Sequence, residues 1–209
     1  MEKEQLKIFT EQGVYSGVSM RDEVHSKGLW HETFHCWIIS RKNGIPMIHF
    51  QLRSADKKDF PDMLDISAAG HLLSNETTED GVREVHEELG INVSFNDLIY
   101  AGKIRDEIYL NHFTDREFAH VYIYVMPDGY EPSYQFQKEE VSGMMDIDLK
   151  SFESLWSGEV SAVQAEGQIP GTDDQLQKTV QTFDKTRFVP HQDSYINQVI
   201  HHIKKVLDI

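Results

Sequence analysis

Three glutamates, Glu84, Glu87 and Glu88, are the residues of this chain whose type and spacing most directly indicate chemistry. At about 100° per residue they fall within one arc of a helix. Apolar residues fall within another arc: Val82, Val85 and Leu89. Each like-charge pair on adjacent turns costs roughly 0.2–0.5 kcal/mol, and a bound divalent cation would reverse that sign. Because Mg²⁺ prefers carboxylate oxygens and bridges to phosphates, the pattern indicates a phosphate-processing metal site; a solvated acidic helix face is the alternative.

The helix that must position these glutamates is predicted between a threonine cap, Thr77 or Thr78, and Gly90. A threonine oxygen accepts a hydrogen bond from the first free N–H groups of a helix, and glycine readily adopts the left-handed conformation that ends one. Arg83 precedes Glu87 by one turn. We therefore expect the two side chains to form an ion pair that holds the carboxylate in place.

Strands are predicted on both sides of this helix. Phe34–Ser40 and Met47–Arg53 are short β-rich runs, and the turn-like residues 42–44 between them predict a hairpin. Leu98–Leu110 and Glu117–Met126 are also predicted strands. The second segment is rich in the β-branched and aromatic residues that are favoured on a pleated surface. The order of elements indicates a mixed α/β fold.

The carboxyl-terminal part of the chain predicts a short helix over Asp148–Trp156 and a longer final helix. Asp193 or Ser194 would cap the final helix. Its apolar residues form a stripe on one face: Ile196, Val199, Ile200, Ile203, Val206 and Leu207. The polar segment Gly158–Pro190 between the two helices is predicted to consist of loops with one short helix at most.

Composition narrows the class of protein. The formal charge is −15, from 35 acidic against 20 basic residues, which argues against binding a nucleic-acid polymer because such proteins need a basic face. One cysteine allows no intramolecular disulfide. The amino-terminal residues do not resemble a signal peptide, and no run approaches the roughly 20 apolar residues that cross a bilayer. We expect a cytoplasmic enzyme without a membrane anchor.

The segment from Gly70 to Ile91 resembles the sequence signature of the Nudix family. That signature is Gly, five residues, Glu, seven residues, Arg-Glu, an aliphatic, any residue, Glu-Glu, any residue, Gly and an aliphatic. The residues that match it are Gly70, Glu76, Arg83, Glu84, Val85, Glu87, Glu88, Gly90 and Ile91. Six residues, not seven, separate Glu76 from Arg83, so the loop is one residue shorter than the pattern.

The resemblance implies an α/β/α sandwich around a mixed sheet, with a carboxyl-terminal helical extension. Residues 1–157 would form the Nudix domain, including the amino-terminal strands, and residues 158–209 would form a loop and helix packed on the same domain. Glu84, Glu87 and Glu88 would hold Mg²⁺ or Mn²⁺. The implied reaction is hydrolysis of a small-molecule organic diphosphate, such as a nucleoside-diphosphate compound, by water attack on phosphorus.

The resemblance also suggests residues with other roles in this reaction. The carboxylate that accepts the proton of water could be Glu84, Glu87 or Glu88, or the later pair Glu139 and Glu140, for which ordinary surface charge is the alternative. The residues expected to bind the substrate are Arg53, Lys57, Gly70 and Arg83, with Lys58 beside them. Arg53 is favoured because a guanidinium makes bidentate contacts with phosphate.

Residues 25–91 are similar to the branch of the family that contains type I isopentenyl diphosphate isomerase. That isomerase carries an essential cysteine directly before the Gly-His pair, and Ala69 stands at this position. Alanine cannot move protons to or from an alkene, and the only thiol, Cys36, is expected in the core. Four histidines partly match the metal ligands of the isomerase: His25, His31, His35 and His71.

Three function classes therefore follow from the sequence. Hydrolysis of an organic diphosphate is the leading hypothesis, because the glutamate pattern is complete. An isomerase-like enzyme is the second hypothesis, and the absence of the thiol argues against it. A non-catalytic nucleotide-binding sensor is the third. A homodimer is conceivable, since dimers are the commonest oligomers.

Overall fold

A computed structural model describes residues 4–110, 113–171 and 175–209. Its strands are β1 (Gln5–Phe9), β2 (Tyr15–Met20), β3 (Trp30–Lys42), β4 (Ile45–Arg53), β5 (Leu64–Asp65), β6 (Ala68–His71), β7 (Leu98–Leu110), β8 (Phe113–Val125), β9 (Val141–Asp148), β10 (Ala162–Pro170) and β11 (Leu176–Asp184). Its helices are α1 (Arg21–Lys27), α2 (Arg83–Leu89), α3 (Leu149–Ser157) and α4 (Asp193–Leu207). Short 3₁₀ turns lie at Asp80–Val82, Phe95–Asp97 and Lys185–Arg187.

The strands form one mixed sheet with β3 at its centre. One path through the sheet runs β11-β10-β9-β4-β3-β1-β2, while β8 pairs with β3 and β7, β5 pairs with β4, and β6 pairs with β3. β8 runs parallel to β3, and β6 runs antiparallel to it over the same residues. The long central strand therefore holds β6 on one side and β8 on the other.

The side chains of β3 point alternately to the two faces of the sheet, and the hydrophobic core is correspondingly divided into two layers. Phe34, Cys36 and Ile38 lie in a buried cluster with the apolar face of α2. Trp37 and Ile39 lie in a second buried cluster with the apolar faces of α3 and α4. Successive side chains of a strand point to opposite faces, so one strand contacts both helical layers. The predicted α/β/α architecture with a carboxyl-terminal helix is confirmed.

Most of the predicted elements are present. The hairpin between β3 and β4 turns at Asn43 and Gly44, whose φ values are 52° and 82°, as a two-residue turn with left-handed residues requires. β7 has the predicted bounds, Leu98–Leu110. Asp148 caps α3 by accepting a hydrogen bond from the backbone N–H of Ser151 at 2.7 Å. None of the helices in the described ranges is long and apolar enough to cross a bilayer.

The predicted helix caps were wrong at two places. α2 begins at Arg83 after a 3₁₀ turn, and Thr77 donates its hydroxyl to Asp80 instead of capping the helix. α4 begins at Asp193, but its cap is Gln192, whose backbone N–H donates to Asp106 of β7 at 3.0 Å. The start of α4 is therefore held by a partner 86 residues away in sequence, whereas α2 follows directly from the 3₁₀ turn before it.

The prediction of loops over Gly158–Pro190 was also wrong. β10 and β11 form a hairpin there, and Glu166–Gln168 of β10 extend the sheet beside β9. Along β10 the buried residues alternate with exposed ones and are Val163 and Ala165. A polar segment can form a strand when an exposed sheet edge supplies its hydrogen bonds, which is a tertiary effect that local composition does not report. Residues 172–174 of the predicted loop lie outside the described residues.

Candidate active site

Two glutamates of α2, Glu84 and Glu88, face β6, the short strand that precedes the helix. Gly70 packs so closely on this helix that a Cβ atom at Gly70 would lie 2.0 Å from Oε1 of Glu84. The backbone N–H of Ala69 donates to Oε2 of Glu88 at 3.1 Å, and Gln51 of β4 donates to the same oxygen at 3.5 Å. Gly70, which was predicted to bind substrate, therefore makes room for a carboxylate in this structure.

Burial changes the proton affinity of two of these carboxyls. Burial raises the pKa of Glu84 to about 7, with the nearby Glu87 adding to the shift while Arg83 opposes it. Burial also raises the pKa of Glu88 well above its usual range, and the charges of Glu84 and Glu140 act in the same direction. The contact of Arg83 with Glu84 thus does not offset the burial of these two carboxyls, and a divalent cation would stabilise their charged forms.

Arg83 lies among the acidic side chains and contacts three of them. Its guanidinium donates to both oxygens of Glu76 at 2.7 and 3.1 Å, to Glu84 at 2.7 Å and to Glu87 at 3.1 Å. The predicted pair of Arg83 and Glu87 is confirmed, although the Glu87 side chain is 50% exposed. Glu76 also accepts from the backbone N–H of Leu73, so it reaches Arg83 in spite of the shorter loop.

The second predicted pair of acidic residues lies just before β9. Glu140 forms an ion pair with Lys57, and its charge acts on Glu88. Glu139 is exposed to solvent. A predicted substrate ligand, Lys57, and a predicted base, Glu140, thus contact each other.

Arg53 is engaged in holding its own loop. Its guanidinium donates to Asp65 at 2.7 Å and to the carbonyl oxygens of Phe60 and Asp59 at 3.1 and 2.9 Å. These contacts close the loop after β4 over residues 54–63. The predicted role of Arg53 in binding phosphate stays a prediction.

A second group of polar residues contains three of the four histidines that the isomerase resemblance suggested. His25 of α1, His31 of β3 and His71 of β6 each offer a nitrogen atom, and these atoms lie within 4.8 Å of one another. His71 Nε2 is 3.3 Å from His25 Nε2. His35 is not part of this group, because its ring contacts Tyr195 and Glu117.

Two acidic residues of β8 complete this cluster, and sequence reasoning missed both. Donor atoms of His31, Asp115 and Glu117 also lie within 4.8 Å of one another, and Asp115 Oδ1 is 3.4 Å from His31 Nε2 and 3.6 Å from His25 Nε2. Asp115 and Glu117 are two residues apart, so they share one face of the strand. This Asp-x-Glu spacing was the signal that could have identified them. We call His25, His31, His71, Asp115 and Glu117 the histidine cluster.

The electrostatics of the histidine cluster suit a metal ion. Burial lowers the pKa of His25 to about 4 and lowers those of His31 and His71 as well, so all three rings are neutral at pH 7. Burial raises the pKa of Asp115 well above its usual range. His31 Nε2 and Asp115 Oδ1 are buried and lack a hydrogen-bond partner within the described ranges. Neutral imidazoles beside an unsatisfied carboxyl are a donor set that a transition metal would fit.

The two groups are separated by β6. Gly70 faces α2, whereas His71, the next residue, points its side chain to the other face and joins the histidine cluster. The donor atoms of Glu84, Glu87 and Glu88 are not drawn together within 4.8 Å as those of the histidines are. Arg83 contacts two of those glutamates, Glu84 and Glu87.

The residues at the isomerase positions have the expected character. Cys36 is fully buried in the core cluster on the α2 side, and burial raises the pKa of its thiol to about 12. Ala69 is partly buried against the opposite cluster. The described part of the chain therefore places no thiol beside the histidine cluster.

Comparisons of the sequence identify the family of this protein. A Nudix hydrolase of Clostridium acetobutylicum, itself uncharacterized, is 40% identical over 200 residues, which cover 96% of this chain and 97% of the relative. The chain belongs to the Nudix hydrolase family. Nudix hydrolase 3 of Arabidopsis thaliana is 32% identical over 165 residues, which cover 76% of this hydrolase and 21% of the plant protein. No family model matches the sequence.

Other comparisons define the limits of the similarity. An isopentenyl-diphosphate Delta-isomerase of Corynebacterium diphtheriae is 34% identical over 82 residues, so it covers only 38% of this Nudix hydrolase. The crystal structure of DR0079 from Deinococcus radiodurans superposes with a TM-score of 0.54 at 20% identity, covering 74% of this chain and 90% of the other. That likeness shows the fold.

Proposed function

We propose that this Nudix hydrolase uses a divalent cation to cleave the diphosphate linkage of a small organic diphosphate by attack of water on phosphorus. The observation that carries the proposal is the pair of buried carboxyls, Glu84 and Glu88, held against β6. Gly70 gives Glu84 its space, and the Ala69 N–H orients Glu88. A nucleoside-diphosphate compound is the expected kind of substrate.

Glu84, Glu87 and Glu88 are the residues that would hold Mg²⁺ or Mn²⁺ in this proposal. Bound there, the cation would neutralise charge on the phosphate oxygens and lower the pKa of the attacking water. Carboxylate oxygens are the ligands that Mg²⁺ prefers, so the donor set fits. Arg83 keeps Glu84 and Glu87 near each other, and its bond to Glu76 limits its own movement.

Glu140 is the better candidate of the later pair for accepting the proton of water. Its charge acts on Glu88, whereas Glu139 is exposed. Lys57 pairs with Glu140 and could exchange that contact for a phosphate oxygen of the substrate. Arg83 and Arg53 supply further positive charge around the same strands.

The histidine cluster is proposed as a second cation site on the other face of β6. Its two unsatisfied buried atoms, His31 Nε2 and Asp115 Oδ1, are the observation that supports it. The isomerase hypothesis is weaker, because Ala69 offers no proton-carrying group beside this cluster. Residues 1–157 would be the hydrolase domain and residues 158–209 an extension packed on it. A cytoplasmic location and a homodimer stay predictions.

The test is release of phosphate or monophosphate, with and without Mg²⁺ or Mn²⁺, from a panel of organic diphosphates. The panel comprises nucleotide sugars, dinucleotides, nucleoside triphosphates and isoprenoid diphosphates. Glu84→Gln is expected to lower kcat by about 100-fold or more, since it removes a carboxylate from the site. The matched control is Glu79→Gln, because Glu79 is exposed near the start of the same helix. Full activity of Glu84→Gln, or isomerisation without hydrolysis, would contradict the proposal.

A further inference from the structure

Helix α4 sends one polar side chain into the sheet towards the histidine cluster. Tyr195 lies in the first turn of α4 and is fully buried. Its hydroxyl oxygen lies 2.7 Å from Nδ1 of His35 and 3.1 Å from Nε1 of Trp37, and both of these residues belong to β3. The other ring nitrogen of His35, Nε2, is 3.1 Å from Oε2 of Glu117.

Trp37, Tyr195, His35 and Glu117 form a series of hydrogen bonds. The direction of each bond follows from the groups at the two ends of the series, Trp37 and Glu117. The indole N–H of Trp37 can only donate, so the oxygen of Tyr195 accepts from it and its O–H is free to donate to His35. A carboxylate accepts, so Nε2 of His35 carries the proton that is donated to Glu117. His35 is thereby fixed in one tautomer and one ring orientation.

Glu117 is the carboxylate of the histidine cluster that is joined to α4. Its Oε2 lies 3.1 Å from Nε2 of His35, whereas Oδ1 of Asp115 has no hydrogen-bond partner among the described residues. The two carboxylates of the cluster thus differ in their partners, because only Glu117 is linked through His35 to Tyr195 of α4.

The start of α4 is anchored in a way that fixes the position of Tyr195. His191 lies between Asp106 and Asp65, at 2.5 and 2.9 Å, and the backbone N–H of Gln192 donates to Asp106. These bonds join the residues before α4 to β7 and β5. The hydroxyl of Tyr195 is therefore held in place by contacts on both sides of the helix start.

We propose that Tyr195 and His35 are positioning residues of the histidine cluster, which orient Glu117 as a metal ligand and let the carboxyl-terminal helix set the affinity of that site. The inference rests on the proposed second cation site. Side chains that hydrogen-bond to metal ligands orient them, and their loss typically costs about 10–100-fold in metal affinity. This would assign a role to a part of the chain that lies far from the glutamates of α2 in sequence.

The experiment measures Mn²⁺ binding to the full chain by calorimetry, with spin-echo detection of imidazole nitrogens at the bound ion. The phase of the titration that is weakened in His71→Gln is the one that reports binding at the histidine cluster. Tyr195→Phe is expected to weaken that phase by about 10–100-fold and to leave the phase of the glutamates unchanged. Tyr134→Phe is the matched control, because Tyr134 is also a buried tyrosine but lies in the other core cluster.

Two variants of His35 separate positioning from packing. His35→Gln keeps an N–H that can reach Glu117 and is expected to retain more affinity than His35→Leu, which has no donor. Equal losses in the two variants would overturn the proposal, as would unchanged Mn²⁺ binding in Tyr195→Phe. If the wild-type chain shows no imidazole signal while Mg²⁺-dependent hydrolysis is intact, this inference fails and the proposed function stands.

Discussion

The glutamates of α2 and the histidine cluster are two groups of side chains of the kinds that can bind metal ions, and the fold assembles them in opposite ways. Glu84, Glu87 and Glu88 lie within five consecutive residues of one helix. The histidine cluster takes its residues from α1, β3, β6 and β8, which only the sheet brings together. A helical period makes the first group visible in the sequence, whereas the second depends on pairings between distant strands. Ligands on one helix are therefore the easier ones to find.

The two groups also differ in charge. Carboxyls with raised pKa values dominate the first, while neutral imidazoles with lowered pKa values dominate the second. Carboxylate oxygens are the ligands that Mg²⁺ prefers, whereas imidazole nitrogens bind ions such as Zn²⁺ and Fe²⁺ better than they bind Mg²⁺. The comparison predicts different responses of the two groups to substitution.

The largest expected effect is on turnover. Glu88→Gln replaces a buried carboxyl of the first group and should lower kcat with Mg²⁺ by about 10²–10⁴-fold. His71→Gln should lower kcat less than Glu88→Gln, because it leaves the glutamates intact. Steady-state kinetics on both purified variants would check the order. A larger loss in His71→Gln would place the chemistry at the histidine cluster instead.

The next effect is on stability. Burial opposes the charge of His191, but Asp106 and Asp65 raise its pKa from 6.5 to about 10. His191→Gln leaves two buried carboxylates without this cation and should lower the free energy of unfolding by about 3–5 kcal/mol at pH 6. Urea unfolding of the wild type and of His191→Gln measures this difference in the free energy of unfolding.

The same pKa shift determines how this loss depends on pH. The folded pKa of His191 is the higher one, so its stabilisation is complete below pH 6.5 and disappears as the pH rises towards 10. Wild type and His191→Gln should therefore converge by about 1.4 kcal/mol per pH unit across that window. A difference that stays constant from pH 6 to pH 10 would show that the ring is neutral in the folded protein.

A smaller effect is expected at the contact between β6 and α2. Gly70→Ala would place a Cβ atom 2.0 Å from Oε1 of Glu84, so the carboxyl must move. Inserting one methyl group into a packed contact costs about 1–3 kcal/mol. Thermal unfolding would report this cost, and a fall in kcat larger than the change in KM would show that Glu84 was displaced.

The smallest expected effect is a difference between the two groups in how substitution changes the affinity for Mn²⁺ and for Mg²⁺. His71→Gln should weaken Mn²⁺ binding clearly and Mg²⁺ binding by less than about threefold, because imidazole is a poor ligand for Mg²⁺. Glu88→Gln should weaken the binding of both cations. Calorimetric titrations with each metal would check this contrast. Equal losses of Mg²⁺ affinity in the two variants would contradict it.

The sequence predicted much of the fold and part of the site. The hairpin of β3 and β4 and the end of α2 at Gly90 were expected from local patterns, and the α/β/α layers were expected from the family resemblance. The hairpin of β10 and β11 was not, since its hydrogen bonds to β9 come from the edge of the sheet. His191 gave no local signal either, because its partners, Asp65 and Asp106, are 126 and 85 residues away in sequence.

By itself, the sequence determined that three glutamates lie on one side of a helix that ends at Gly90, and that alanine stands before Gly70. Both facts depend on a few neighbouring residues and on the helical repeat. Tertiary structure alone decided that Asp115 and Glu117 meet the histidines, and that Tyr195 of the last helix reaches His35. The parallel pairing of β8 with β3 and the anchoring of α4 bring those atoms together, and neither is encoded within any short segment.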